Sequence, residues 1–272
     1  MLPIERLISH RFRGFAPHEN TVEGLVKALD FGVQHLELDI RMTRCGMSLI
    51  YHDEYALDEQ GHKHHLADLT LAQVRELGGA FAHMPEAKDL FDIAARHSNS
   101  TATFLIDIKD LGFEVEINAL VHLAGLQERS VYVSWIPEVL YRLHDIVPDI
   151  PLCLSHWCEQ PNDAIRALHH VDEAVDGHIP RDPRPYIHGQ RRGWYVSGGL
   201  KGELLNILIA SKGSVCVPQD MISRPLSEYY HAHGLQVSAF SFIDWPTIKV
   251  FDDNFNIDLY FIDNKTVFDE IA

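Results

Sequence analysis

His10 and Arg11 stand directly after the short apolar run "IERLIS", and Glu37 and Asp39 stand two apart inside another, "QHLELDI". Alternate residues of a strand project to the same face, so these two carboxylates share one side while Leu36, Leu38 and Ile40 supply the other. Two like charges that close are costly in a buried setting unless a cation lies between them. A third carboxylate, Asp107, sits near the end of "TFLIDI" at the matching height. Three oxygen donors on rigid strands, with room left for water and a ligand, suit one hard divalent cation, Mg2+ or Ca2+, rather than zinc. His10 and His52 are the imidazoles expected to flank it, and such a pair divides proton transfer, one accepting from a nucleophile and the other donating to a leaving group. Arg11 and Lys109 are the cations expected beside a phosphate, the first as a planar fork and the second as a point charge. The "HKHH" run at 62–65 reads as solvated surface.

These residues need a scaffold that brings several strand ends together. Eight short apolar, β-branched runs recur, at 4–9, 34–40, 103–108, 130–135, 150–155, 214–218, 236–242 and 258–263, and amphipathic segments lie between most of them. "NTVEGLVKALDFG" shows the pattern: Asn20 is read as the cap, Glu23 as its capping-box partner, Val22, Leu25, Val26 and Leu29 as one stripe, and Gly32 as the stop. Strands alternating with helices and buried on both faces indicate a parallel sheet. Eight such units in 272 residues predict a closed (β/α)8 barrel, a TIM barrel, read as a single domain over 1–272. Its active site belongs at the C-terminal ends of the strands, where His10, Arg11 and Lys109 fall.

Two stretches break the rhythm. Residues 41–52 leave only a tight turn at Cys45-Gly46, too short for a parallel crossover, and predict a hairpin arm in which facing residue numbers sum to 91, setting His52 opposite Asp39. Residues 156–213 are longer than a crossover needs and read as a rim insertion, with Arg181, Arg184, Arg191 and Arg192 either covering an anionic substrate or forming a solvated loop or subunit contact.

A net charge of -16, from 39 acidic against 23 basic residues, argues against nucleic acid or an anionic membrane as partner. Any anionic substrate must be met by locally placed cations. No run approaches the roughly 20 apolar residues of a membrane span, and no basic region followed by an apolar run marks a leader, so no stable membrane insertion is expected. The four cysteines form no Cys-x-x-Cys pair, which predicts reduced thiols and a cytoplasmic protein. A homo-oligomer is left open.

Taken in order, His10-Arg11, Glu19-Asn20-Thr21, Glu37-Leu38-Asp39, His52-Asp53 and Asp107-Ile108-Lys109 resemble the motifs of the glycerophosphodiester phosphodiesterase family. "VYVSWIPEVLYRLHDIVPDIPLCL" and "GLQVSAFSFIDW" resemble its later strands, so the likeness runs over almost the whole chain. The resemblance implies a TIM barrel that hydrolyses a glycerophosphodiester to glycerol 3-phosphate and an alcohol with a divalent metal. It further implies Glu37, Asp39 and Asp107 as metal ligands, His10 and His52 as general acid and base, and Arg11, Lys109, Glu19 and Phe240 on the substrate. An internal attack by the glycerol hydroxyl, giving a cyclic phosphate that water opens, is the mechanism implied. The chain departs from the pattern at Phe12 (family glycine), His18 (proline), Asp107 (glutamate) and Phe240 (tryptophan), and it lacks the arginine often found after His-Asp. A different head group, as in a sugar phosphodiester or a lysophospholipid, and an inactive binding paralogue are the alternative readings.

Overall fold

A computed structural model describes residues 2–182 and 188–271. The chain enters through β1 (Leu7–His10), turns, and forms a helix over Val22–Phe31 before β2 (His35–Met42). That helix is capped by Thr21, whose hydroxyl accepts from the Gly24 N–H, and stops at Gly32 in the left-handed region (φ 92). Asn20 is therefore not the cap, and Glu23 pairs with Lys27 instead of closing a capping box.

β2 runs past the barrel rim into an arm, where β3 (Ser48–Ile50) returns antiparallel to it, followed by the hairpin of β4 (Tyr55–Leu57) and β5 (Lys63–His65). Ile40 faces Ile50 and Arg41 faces Leu49, so facing numbers sum to 90 and the predicted register is off by one. The cause is the turn: Thr43 accepts from the Met47 N–H through its hydroxyl and donates its own N–H to the Met47 carbonyl, closing a three-residue loop over 44–46, one residue longer than a turn centred on Cys45-Gly46. Tyr51, not His52, faces Asp39. The arm carries a small core of its own, Leu49, Ala56, Leu66, Val74 and Met84. A helix over Ala87–Arg96 then leads to β6 (Thr103–Ile108).

β7 (Ser130–Ser134) and β8 (Leu152–Ser155) follow, and then the rim insertion with its parallel pair β9 (His170–Glu173) and β10 (Arg192–Tyr195). The insertion is shorter than predicted, because the helix over Glu203–Ala210 is the ordinary crossover into β11 (Ser214–Pro218). The last strands are β12 (Gln236–Phe242) and β13 (Leu259–Ile262).

Strands β1, β2, β6, β7, β8, β11, β12 and β13 pair in parallel around a closed ring, β1 bonding to both β2 and β13. The predicted (β/α)8 barrel is the observed fold. Leu36, Leu38 and Ile40 pack outward with the helices in the large core, whereas Ile8, Leu105, Val133, Cys153, Cys216 and Phe261 fill the barrel interior. Each fully buried aliphatic side chain contributes roughly 2 kcal/mol by leaving water. Alternation along β2 therefore turns Glu37 and Asp39 inward.

Candidate active site

Register sets the carboxylates. Asp39 faces Asp107 across β2 and β6, and Glu37 faces His10 across β2 and β1. One oxygen from each of Glu37, Asp39 and Asp107 falls within 4.8 Å of the others, and all three residues are buried. Lys109 Nζ lies 2.9 Å from Asp39 Oδ1 and 2.5 Å from Asp107 Oδ2, and Arg11 Nε lies 3.2 Å from Asp39 Oδ2. Burial pushes the Asp39 carboxyl up, but Lys109 and Arg11 outweigh it and hold the group well below its usual range. Glu37 is pushed well above its usual range by burial and by the Asp39 charge. Asp107 is raised by burial too, and its Oδ1 is buried without a hydrogen bond. An all-oxygen donor set with one carboxylate held against its preference fits a hard divalent cation.

Both predicted imidazoles reach this cluster, and each is held at Nδ1 by an aspartate. His10 Nδ1 meets Asp263 Oδ1 at 2.5 Å, and its Nε2 lies 3.8 Å from Glu37 Oε2. His52 Nδ1 meets Asp53 Oδ1 at 2.8 Å. Burial lowers both imidazoles, His52 to about 4 with Lys109 adding to the effect, so both are neutral near pH 7. His52 arrives without the predicted pairing because β3 ends at Ile50 and the chain turns in over the rim. Arg41 fixes that turn, donating to the His52 and Lys109 carbonyls at 3.2 and 3.3 Å and pairing with buried Asp110 at 3.0 Å.

Arg11 and Lys109 line the same cavity of about 300 Å3, with Glu37, Asp107, His10, His52 and Phe240. Glu19 does not. Its oxygens take Arg11 Nη1 at 3.2 Å and Arg13 Nε at 2.6 Å, and Arg13 goes on to Asp263 Oδ2 at 2.6 Å. Glu19 thus braces the cationic wall from outside. Phe12, where the resemblance expects glycine, is fully buried and adopts a left-handed φ of 59, the backbone conformation glycine takes freely.

Several site residues carry no signal in the sequence. Asp263 follows the last barrel strand as an ordinary strand-end acid, yet that strand neighbours β1, and Ser241 Oγ and Arg13 also anchor it. Asn20 donates to Asp39 Oδ2 at 2.8 Å. Trp135 and Trp157 stack with ring centroids 4.7 Å apart, and Phe240 meets Trp135 edge-on at 5.7 Å. This aromatic wall is roofed by the insertion, where a side chain at Gly193 would fall 2.4 Å from the Trp157 ring. Of the four arginines singled out, Arg191 lines the cavity, Arg181 pairs with Asp145 and Glu203, Arg192 pairs with Asp172 and Asp182, and Arg184 lies outside the described residues. The "HKHH" histidines are not all idle surface: His62 and His64 bond Asp58, and His65 bonds Glu54.

A (β/α)8 barrel gathers three buried carboxylates, two aspartate-held imidazoles and two mostly buried cations at its C-terminal strand ends, and the carboxylates form a site that could hold a metal ion. The pattern of the glycerophosphoryl diester phosphodiesterase family matches residues 8–139, a span that holds all of these residues except Asp263 and Phe240. Over that span, just under half of its 272 residues, the chain is similar to the glycerophosphodiester phosphodiesterase family. It is 28% identical over 159 residues to glycerophosphodiester phosphodiesterase 1 of Homo sapiens, covering 55% of this chain and 48% of that protein. To a glycerophosphodiester phosphodiesterase of Caldanaerobacter subterraneus it is 25% identical over 167 residues, 56% of this chain and 67% of the relative. The chain spans about half the length of the first of these relatives. A solved structure from Silicibacter pomeroyi superposes with a TM-score of 0.72 at 20% identity over 98% of this chain and 92% of that one. An Oleispira antarctica phosphodiesterase, solved with its product sn-glycerol-3-phosphate, gives 0.66 at 17% identity over 98% and 96%. At these identities the structural matches speak to the fold.

Proposed function

We propose that the protein hydrolyses a glycerophosphodiester to glycerol 3-phosphate and an alcohol, with one divalent cation, Mg2+ or Ca2+, held by Glu37, Asp39 and Asp107. The observation that carries the reading is the pair of imidazoles, each tied at Nδ1 to an aspartate, across one cavity from a buried carboxylate cluster. A cation in that cluster supplies positive charge to the non-bridging phosphoryl oxygens. Arg11 and Lys109 orient the phosphate from the same wall, and the aromatic side formed by Trp135, Trp157 and Phe240 excludes water from the alcohol.

With Nδ1 committed to an aspartate, each imidazole acts through Nε2. One accepts the proton of the glycerol hydroxyl next to the phosphoester as that oxygen bonds to phosphorus. The phosphorus–alcohol oxygen bond breaks, and the other imidazole, protonated once the anionic substrate raises its proton affinity, delivers its proton to the departing oxygen. In the second half the roles reverse and water opens the cyclic phosphate. The test is release of glycerol 3-phosphate from a panel of glycerophosphodiesters, alongside hydrolysis of bis(p-nitrophenyl) phosphate, with and without EDTA. Metal-dependent turnover is expected. A protein saturated with Mg2+ or Ca2+ that turns over none of these substrates is not this enzyme.

A further inference from the structure

The insertion touches the catalytic cluster through a cation that the resemblance does not assign. Arg191 directly precedes β10, and its carbonyl is pinned by the His170 N–H at 2.9 Å. Its Nη2 donates to Asp53 Oδ1 at 2.6 Å, the same oxygen that His52 Nδ1 reaches at 2.8 Å. The hydrogen bond with His52 holds the Asp53 carboxyl down at about 2, and Arg191 adds to the effect against partial burial. Asp53 is thus an ionised acceptor, so His52 must carry its proton on Nδ1 and keep the Nε2 lone pair. The Asp53 side chain is 56% exposed, whereas Arg191 is only 22% exposed. Left to His52 alone, so open an aspartate is free to swing to water. The chain has no arginine between Arg44 and Arg75, so the guanidinium over Asp53 comes from 138 residues away in sequence.

We propose that Arg191 is a positioning residue for His52: through the shared Asp53 oxygen it holds the imidazole in the Nδ1–H tautomer with Nε2 available to the substrate, so the insertion, and not the barrel alone, completes the site. This rests on His52 being the catalytic imidazole of the proposed hydrolysis, and it adds a dependence on the insertion.

The experiment compares the metal-loaded wild type with Arg191→Ala, Arg191→Lys and Arg181→Ala, the last being an insertion arginine paired away from the cavity. Nitrogen-15 NMR of the histidine side chains, with His52 assigned by its loss in His52→Asn, reads the tautomer without reference to turnover. In Arg191→Ala the single Nδ1–H pattern of His52 should give way to a mixture of tautomers. kcat should fall about tenfold with a smaller change in KM, as when a partner that orients a site histidine is lost. Arg191→Lys and added guanidinium should each restore part of it, while Arg181→Ala keeps the wild-type kcat and spectrum. An unchanged His52 pattern in Arg191→Ala overturns the proposal. If the wild type has no phosphodiesterase activity, the hydrolytic reading fails by itself, and the tautomer comparison still decides whether Arg191 positions His52.

Discussion

Asp263 and Asp53 solve the same problem for two histidines that line one cavity with the carboxylate cluster. A buried imidazole without a fixed partner at Nδ1 samples both tautomers, and only one presents Nε2 to a reacting oxygen. His10→Ala and His52→Ala should therefore each lower kcat by about a hundredfold or more while leaving the far-UV circular dichroism unchanged. Wild-type turnover in either variant removes that residue from the chemistry. Asp263→Asn keeps the volume but accepts from His10 less strongly and offers the wrong group in one of its two orientations, so kcat should fall about 10- to 100-fold. Of these residues His10 and His52 were legible, because each stands at a strand end beside a second motif residue. Asp263 was not, since a lone aspartate after "LYFI" has the look of any strand terminus. Only the closure of the barrel, which sets β13 beside β1, gives it meaning.

Strands were more legible than what hangs from them. The eight barrel strands are short β-branched runs buried on both faces, and hydrophobicity alone finds those. The arm and the insertion are built from polar loops, and their registers follow from turn hydrogen bonds such as Thr43 with Met47, which no periodicity reports. The element after β8 shows a consequence. His156 is fully buried there, with Nδ1 on the Trp157 carbonyl at 3.1 Å and Nε2 on the Tyr230 hydroxyl at 2.8 Å, so it bridges the β8 end to the helix over Arg224–Ala232. Burial lowers it to about 4. A depressed histidine is kept neutral by the fold, so its contribution is complete above the unfolded value near 6.5 and shrinks as pH falls toward 4, where the unfolded chain takes the proton first. Between pH 7 and 5 that loss amounts to about 2 kcal/mol for this one residue. Urea unfolding at the two pH values should show a decline in the wild type that is shallower in His156→Gln. An equal decline in both proteins places the acid sensitivity elsewhere.

At the scale of the molecule, a chain with a net charge of -16 concentrates three buried carboxylates on two adjacent barrel strands. Arg11 and Lys109 neutralise part of that charge, yet Glu37 is still driven toward its protonated form, so the folded barrel holds repulsion that a bound divalent cation would relieve. The unfolded chain, with Glu37, Asp39 and Asp107 dispersed, offers no comparable site, and binding to the native state alone stabilises it by about 2.7 kcal/mol at a hundred times the dissociation constant. The thermal midpoint should therefore rise saturably with MgCl2 or CaCl2, and not with NaCl at the same ionic strength, which separates binding from screening. Glu37→Gln, Asp39→Asn and Asp107→Asn should each flatten the metal response. Glu37→Gln should also leave the metal-free midpoint equal to or above that of the wild type, because it deletes a charge that burial and Asp39 both oppose. A midpoint that neither cation moves assigns the three carboxylates to Arg11 and Lys109 alone and takes the metal out of the site.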